Sequence, residues 1–120
     1  MTSGPVQSIS GFITKTNKTV YPGNFVHPRT ILRIYLEVLT AFDGSGTDQI
    51  RIGHSTDNDA FGTLTDVSTT GIKTVTAGAG IGYDATPRQV IFEYVAGGGD
   101  PSNGSAVITL EFLLLPPQIT

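Results

Sequence analysis

ILRIYLEVLTAF, residues 31–42, alternates like a β-strand yet carries apolar side chains on both faces. Leu32, Ile34, Leu36, Val38 and Phe42 point one way. Ile31, Tyr35, Leu39 and Ala41 point the other, among Arg33 and Glu37. RQVIFEYV (88–95) and AVITLEFLLL (106–115) repeat the pattern. In the latter, Ala106, Ile108, Leu110, Phe112 and Leu114 share one side, while Val107, Leu113 and Leu115 flank Thr109 and Glu111 on the other. Side chains alternate across a strand, so a chain with one packed face should separate apolar from polar more cleanly. One side of these stretches, completed by Val90, Phe92 and Tyr94, supplies the expected core, each buried side chain contributing on the order of 1.5–3 kcal/mol. The other side (Ile31, Tyr35, Leu39, Ile91, Val95, Val107, Leu113, Leu115) forms an adhesive surface that calls for a second partner.

Around these strands the chain is punctuated by glycine (15), proline (7) and many threonines, a mix that favours strands and turns over helix. No apolar period of 3.6 persists for more than about two turns, so no long helix is expected. Expected strands cover 8–14, 31–42, 49–54, 61–67, 72–77, 81–83, 88–95 and 105–115. They are divided by Asp43-Gly44-Ser45-Gly46, Thr70-Gly71, Ala77-Gly78-Ala79-Gly80 and the loop GGGDPSNG at 97–104. About eight short strands at these intervals predict one all-β domain over residues 1–120, an antiparallel β-sandwich of jelly-roll-like type. Polar residues 1–7 and the Pro116-Pro117 segment at 116–120 read as extended arms.

Composition narrows the function classes. Seven basic residues against ten acidic give a net charge of −3, and the cations are scattered. This disfavours nucleic-acid binding, which needs a concentrated basic footprint. No apolar run approaches the ~20 residues of a membrane-spanning helix. Met1-Thr-Ser-Gly-Pro5 lacks the cationic start and apolar segment of a signal peptide, so synthesis and folding in a cytoplasm are expected. Without cysteine there is neither disulfide nor thiolate chemistry.

No set of residues makes a convincing catalytic or metal constellation. Asp57-Asn58-Asp59, with Asp43, Asp48 and Asp66, could supply oxygen ligands to calcium, Asp57 and Asp59 foremost; the spacing is not that of a helix–loop–helix site, and short acidic loop residues commonly cap turns. His54-Ser55 beside Asp57 suggests a nucleophilic triad. Neighbouring strand residues face opposite ways, however, and no nucleophile elbow is present, so His54 is expected to be a solvated loop residue. Glu93 and Glu111 share a facing and invite comparison with a glycosidase pair, but nothing in the sequence sets their strands side by side; salt bridges to Arg33 or Arg88 fit them better. Gly78-x-Gly80-x-Gly82 lacks the strand–helix context of a nucleotide loop and reads as a β-turn. For sugar stacking, the chain offers Tyr35, Tyr83, Tyr94 or Phe61, without any tryptophan. No cofactor is expected, and the chain does not read as an enzyme.

Residues 37–66, EVLTAFDGSGTDQIRIGHSTDNDAFGTLTD, resemble small virion proteins of tailed bacteriophages. In these, a strand ending T-A-F-(D/N)-G leads to a second closing in I-G-x-S-x-D-x-D-x-F. Here Thr40, Ala41, Phe42, Asp43 and Gly44 match the first motif, and Ile52, Gly53, Ser55, Asp57, Asp59 and Phe61 the second. GSAVITLEF (104–112) looks like the closing strand of the same proteins. The resemblance implies an all-β capsid decoration (cement) protein on the outside of the virion. Such a protein would be a homotrimer over junctions of the major capsid protein. Ile31, Tyr35, Leu39, Leu113 and Leu115 would then form the subunit interface, with Val6 and Ile9 against the shell. A head- or tail-fibre module that binds a host carbohydrate or receptor is the alternative; the chain's shortness and lack of heptads weigh against it.

Overall fold

The computed structural model describes residues 6–115. The predicted arms at 1–5 and 116–120 lie outside them, whereas Val6 and Gln7 belong to a strand and not to an arm. Ten strands form among the described residues: β1 (Val6–Thr14), β2 (Thr19–Val20), β3 (Asn24–Phe25), β4 (Arg29–Thr40), β5 (Gln49–His54), β6 (Asp57–Leu64), β7 (Gly71–Lys73), β8 (Thr76–Ala77), β9 (Arg88–Val95) and β10 (Ser105–Leu114). The only helical element among the described residues is a 3-10 turn, Ala79–Ile81.

The strands assemble into two antiparallel sheets. One has four strands in the order β1-β10-β4-β7. The other has six, β2-β9-β5-β6-β8, with β3 also paired to β9. Neighbours within each sheet come from distant parts of the chain, an interleaving typical of jelly-roll sandwiches. Between the sheets lies one core, with Ile13, Leu36, Ile50, Ile52, Phe92, Ile108 and Leu110 fully buried. Gly11 is required there, because a Cβ would run into the Phe92 ring. The all-β sandwich read from the sequence is thus the fold.

Details depart from the expectation where a strand is short or irregular. β2 and β3 have two residues each, below the length at which alternation can be seen. The predicted strand 72–77 is two strands: β7 pairs with β4 in one sheet and β8 with β6 in the other. The predicted strand 81–83 is instead the end of the 3-10 turn and its exit. In β4, one extra residue changes the facing. Glu111 pairs with Arg33 but Phe112 with Ile31, so Leu32 is a β-bulge. Ile31 consequently turns into the core, at 9% exposure, and Leu32 turns out. This corrects the assignment of Ile31 to an outer interface. A second bulge, at Leu39, follows from Ala106 pairing with Val38 and Ser105 with Thr40.

Candidate functional site

Cross-strand pairing defines what the four-stranded sheet presents outward. One row runs Phe12, Val107, Glu37, Ile72 across β1, β10, β4 and β7. Phe12 is 48% exposed and Ile72 70%, and Leu39 protrudes from its bulge beyond them. The neighbouring rows are polar. Ser10 and Thr109 share a hydroxyl hydrogen bond of 2.8 Å beside Tyr35, and Ser8 lies next to Glu111, which pairs with Arg33 at 3.1 Å. At the far end Val6 lies opposite Leu113. Tyr35 donates its hydroxyl to Glu37 at 2.9 Å, and that carboxylate raises the phenol above its ordinary range. The surface therefore has apolar ends and a polar belt between them. Residues directly opposite on antiparallel strands stand about 4.5–5.5 Å apart at Cβ, so each row is a continuous strip.

The six-stranded sheet is built otherwise. Its outward row reads Thr19, Glu93, Arg51, Thr63, Thr76, polar from edge to edge. Of its outward apolar residues, Ile91, opposite Gly53, is only 8% exposed, and Val95, opposite Gln49, is half-buried. The β5–β6 hairpin accounts for this. A Cβ at Gly53 would overlap the Asp57 carbonyl oxygen, and Asn58 Nδ2 donates to Glu93 Oε1 at 3.2 Å, so the hairpin folds back over this face.

Of the sequence-predicted interface residues, Tyr35, Leu39 and Leu113 lie on the open face of the four-stranded sheet. Leu115 lies just past β10, its amide donating to the Pro28 carbonyl at 2.9 Å. Ile31 is in the core. Ile9, predicted to lie along a shell, packs inward against the core and beside Gly23; Val6 is exposed. Phe12 and Ile72 were missing from the predicted set. Phe12 was legible as the outward partner of Ile9, Gly11 and Ile13, whereas Ile72 gained meaning only through the β4–β7 pairing.

The polar candidates separate. Glu93 and Glu111 occupy the outer faces of different sheets and cannot act on one substrate. Asp43 accepts hydrogen bonds from the Ser102 and Asn103 amides and from Asn103 Nδ2, which hold its carboxyl below the usual range. Buried Asp48 accepts from the Tyr94 hydroxyl and the Gly97 amide. Asp66 takes Lys73 and Thr69. These three carboxylates tie loops together. Asp57 and Asp59 are exposed near the start of β6, and no three metal-binding side chains converge among the described residues. Tyr94 and Phe61 are buried, which removes them as sugar platforms and leaves Tyr35 and Tyr83.

His54 is not the solvated residue expected. It ends β5 at 7% exposure, edge-on to Phe61 at 5.7 Å, and its Nδ1 has no hydrogen-bond partner. Burial, with Arg88 nearby, lowers its pKa, so the ring is neutral at pH 7. Close by, Arg29 is buried at 2% exposure. Its guanidinium donates to the carbonyls of His27, Asp84 and Thr86 and stacks over Phe25 at 4.6 Å. Asp84 also accepts from Arg88 at 3.0 Å. Burial opposes ionisation of Asp84, but the Thr86 amide, Arg88 and Arg29 outweigh it and hold the carboxyl down at about 2. Arg29 thereby pins the segment between the 3-10 turn and β9.

No protein-family model matches the chain, and no curated protein matches it. Solved structures share its fold. A chain of the cyanophage Pam1 capsid asymmetric unit superposes with a TM-score of 0.67 at 14% identity, over 93% of this chain and 86% of that one. A chain of the acidic stable capsid of Helicobacter pylori bacteriophage KHP30 gives 0.62 at 15% identity, over 98% and 94%. One from the capsid of Ralstonia phage GP4 gives 0.60 at 14%, over 98% and 88%. At such identities the likeness is one of fold, nearly end to end.

Proposed function

We propose that this chain is a structural protein of a bacteriophage particle, a decoration (cement) protein that associates as a homotrimer and clamps adjacent major capsid subunits on the shell exterior. The observation that carries the reading is the uncovered apolar strip on the four-stranded sheet, on a fold shared with chains of three phage capsids. Among the described residues, six of the nine large apolar side chains left exposed lie on β1, β4 and β7, and none lies on the strands of the other sheet. A surface of that kind is costly in water and favourable against a second copy.

In this reading Phe12, Tyr35, Leu39, Ile72 and Leu113 meet neighbouring copies, and Val6 with the segment before it reaches the shell. A trimer then engages several capsid subunits at once, and multivalency turns weak single contacts into firm attachment without chemistry. Such a role asks for rigidity and adhesion and no active site.

Two measurements test it. Sedimentation of the purified chain should give a trimeric mass, and particles should carry hundreds of copies. A monomer at working concentrations would overturn the assembly claim. A handful of copies per particle would favour a head- or tail-fibre module.

A further inference from the structure

At one end of the sandwich lies a hollow of about 430 Å³ with both polar and apolar walls, formed by the β5–β6 hairpin, the 3-10 turn and the start of β9. We infer that this hollow binds a neutral polyhydroxylated ligand, a single sugar residue of a glycan, between Tyr83, His54, Asp57 and Arg88. The inference stands apart from the shell role, since the hollow shares no residue with the open face of the four-stranded sheet.

Its size falls in the range of small-ligand sites. Its charges nearly cancel. Asp84 pairs with Arg88, which donates to it through Nε, and with Arg29 behind; Asp57 and Arg88 both line the hollow. No surplus positive charge awaits a phosphate, and no cluster of carboxylates awaits a cation. What remains suits hydroxyl groups: the Asp57 carboxylate accepts, and the outer N–H groups of Arg88 donate. Tyr83, 45% exposed at the rim, offers a ring face to the C–H side of a pyranose.

One further observation concerns the shape of the hollow, which the His54 ring helps to wall. Gly82, at φ −71°, has a backbone that any residue could adopt, and a Cβ there would meet nothing within 4 Å. Neither conformation nor packing asks for glycine at 82; its effect is to leave the hollow unobstructed. Gly78 and Gly80 differ, since side chains there would collide with Ala60 of β6. The G-x-G-x-G run, with no role in nucleotide binding, thus seats the turn against the sheet and keeps the hollow clear.

The test is an NMR titration of the full-length, isotope-labelled protein with glucose, galactose, mannose and N-acetylglucosamine, and with inorganic phosphate as the charged control. At least one neutral sugar should shift the Tyr83 ring and His54 imidazole resonances saturably in the millimolar range, and phosphate should not. Gly82→Phe, placed in open space, should fold as the parent does and abolish the shifts. Tyr83→Ala should weaken binding by about tenfold, the most a single ring contact provides. A glycan array probed with the same protein would tell a host-type glycan from a free sugar. Silence with every sugar, a response to phosphate alone, or unchanged binding by Gly82→Phe would each overturn the inference. None of these outcomes bears on oligomeric mass or copy number, so the shell role fails or survives separately.

Discussion

The two outer faces of this sandwich solve the same problem in opposite ways. On the six-stranded sheet the row Thr19, Glu93, Arg51, Thr63, Thr76 is polar throughout, and Ile91 is tucked beneath the chain's own hairpin. On the four-stranded sheet the row Phe12, Val107, Glu37, Ile72 is mostly apolar, and no segment among the described residues lies over it. In the proposed role, the bare side is the one that meets neighbouring copies. The lesson concerns reading exposure: the same strand pattern means self-coverage or docking according to what the neighbouring loops do.

The largest effect should come from undoing the self-coverage. Gly53→Val would set a side chain against the Asp57 carbonyl and lift the hairpin, costing about 3 kcal/mol of stability in denaturant unfolding. If that variant unfolds like the parent, the hairpin does not seal the six-stranded face and the contrast between faces fails. Next comes the bare side. Phe12→Glu with Ile72→Glu should leave the fold intact and weaken self-association by roughly a hundredfold, about 3 kcal/mol, read by sedimentation. The matched pair Thr63→Glu with Thr76→Glu on the other face should leave the mass unchanged; equal effects on both faces would mean no docking side exists.

A smaller effect is set by pH at the rim between the faces. Asp84 has a folded pKa of about 2, below the ~3.9 of an unfolded aspartate, so its contribution is complete above about pH 4. It is lost as pH falls toward 2. Acid unfolding followed by circular dichroism should therefore show Asp84→Asn with a flatter pH dependence than the parent in that window. Smallest of all is the exposed Arg33–Glu111 pair. Glu111→Gln should move stability by no more than about 0.5 kcal/mol, as surface ion pairs do. A larger loss would mean that the belt does structural work within one subunit.

Much of this was legible in the sequence because alternation over eight or more residues is hard to counterfeit. β9 and β10 bury the predicted sides, and β4 does so from Ile34 to Val38. Legibility failed where one residue shifts a register. Nothing in ILRIY announces that Leu32 bulges, yet that bulge moves Ile31 from the expected interface into the core. Strands of two residues, β2 and β3, carry no period at all. His54 was misread because its burial depends on the pairing of β5 with β9 and on the turn at 79–81, which local chemistry does not encode. Phe12 was readable from its own strand, but without β10 and β4 beside it nothing marked it as part of a strip.

The polar belt on the open face has a consequence for fidelity. In the proposed assembly, greasy ends attract copies in many alignments, whereas an Arg33–Glu111 pair and a Ser10–Thr109 hydroxyl bridge reward only a few. Ionic strength acts on these two kinds of contact unequally, since salt screens exposed charges and leaves apolar adhesion intact. Concentrated brine should therefore preserve sticking while blurring alignment, and dilute buffer should favour fewer, better-ordered assemblies.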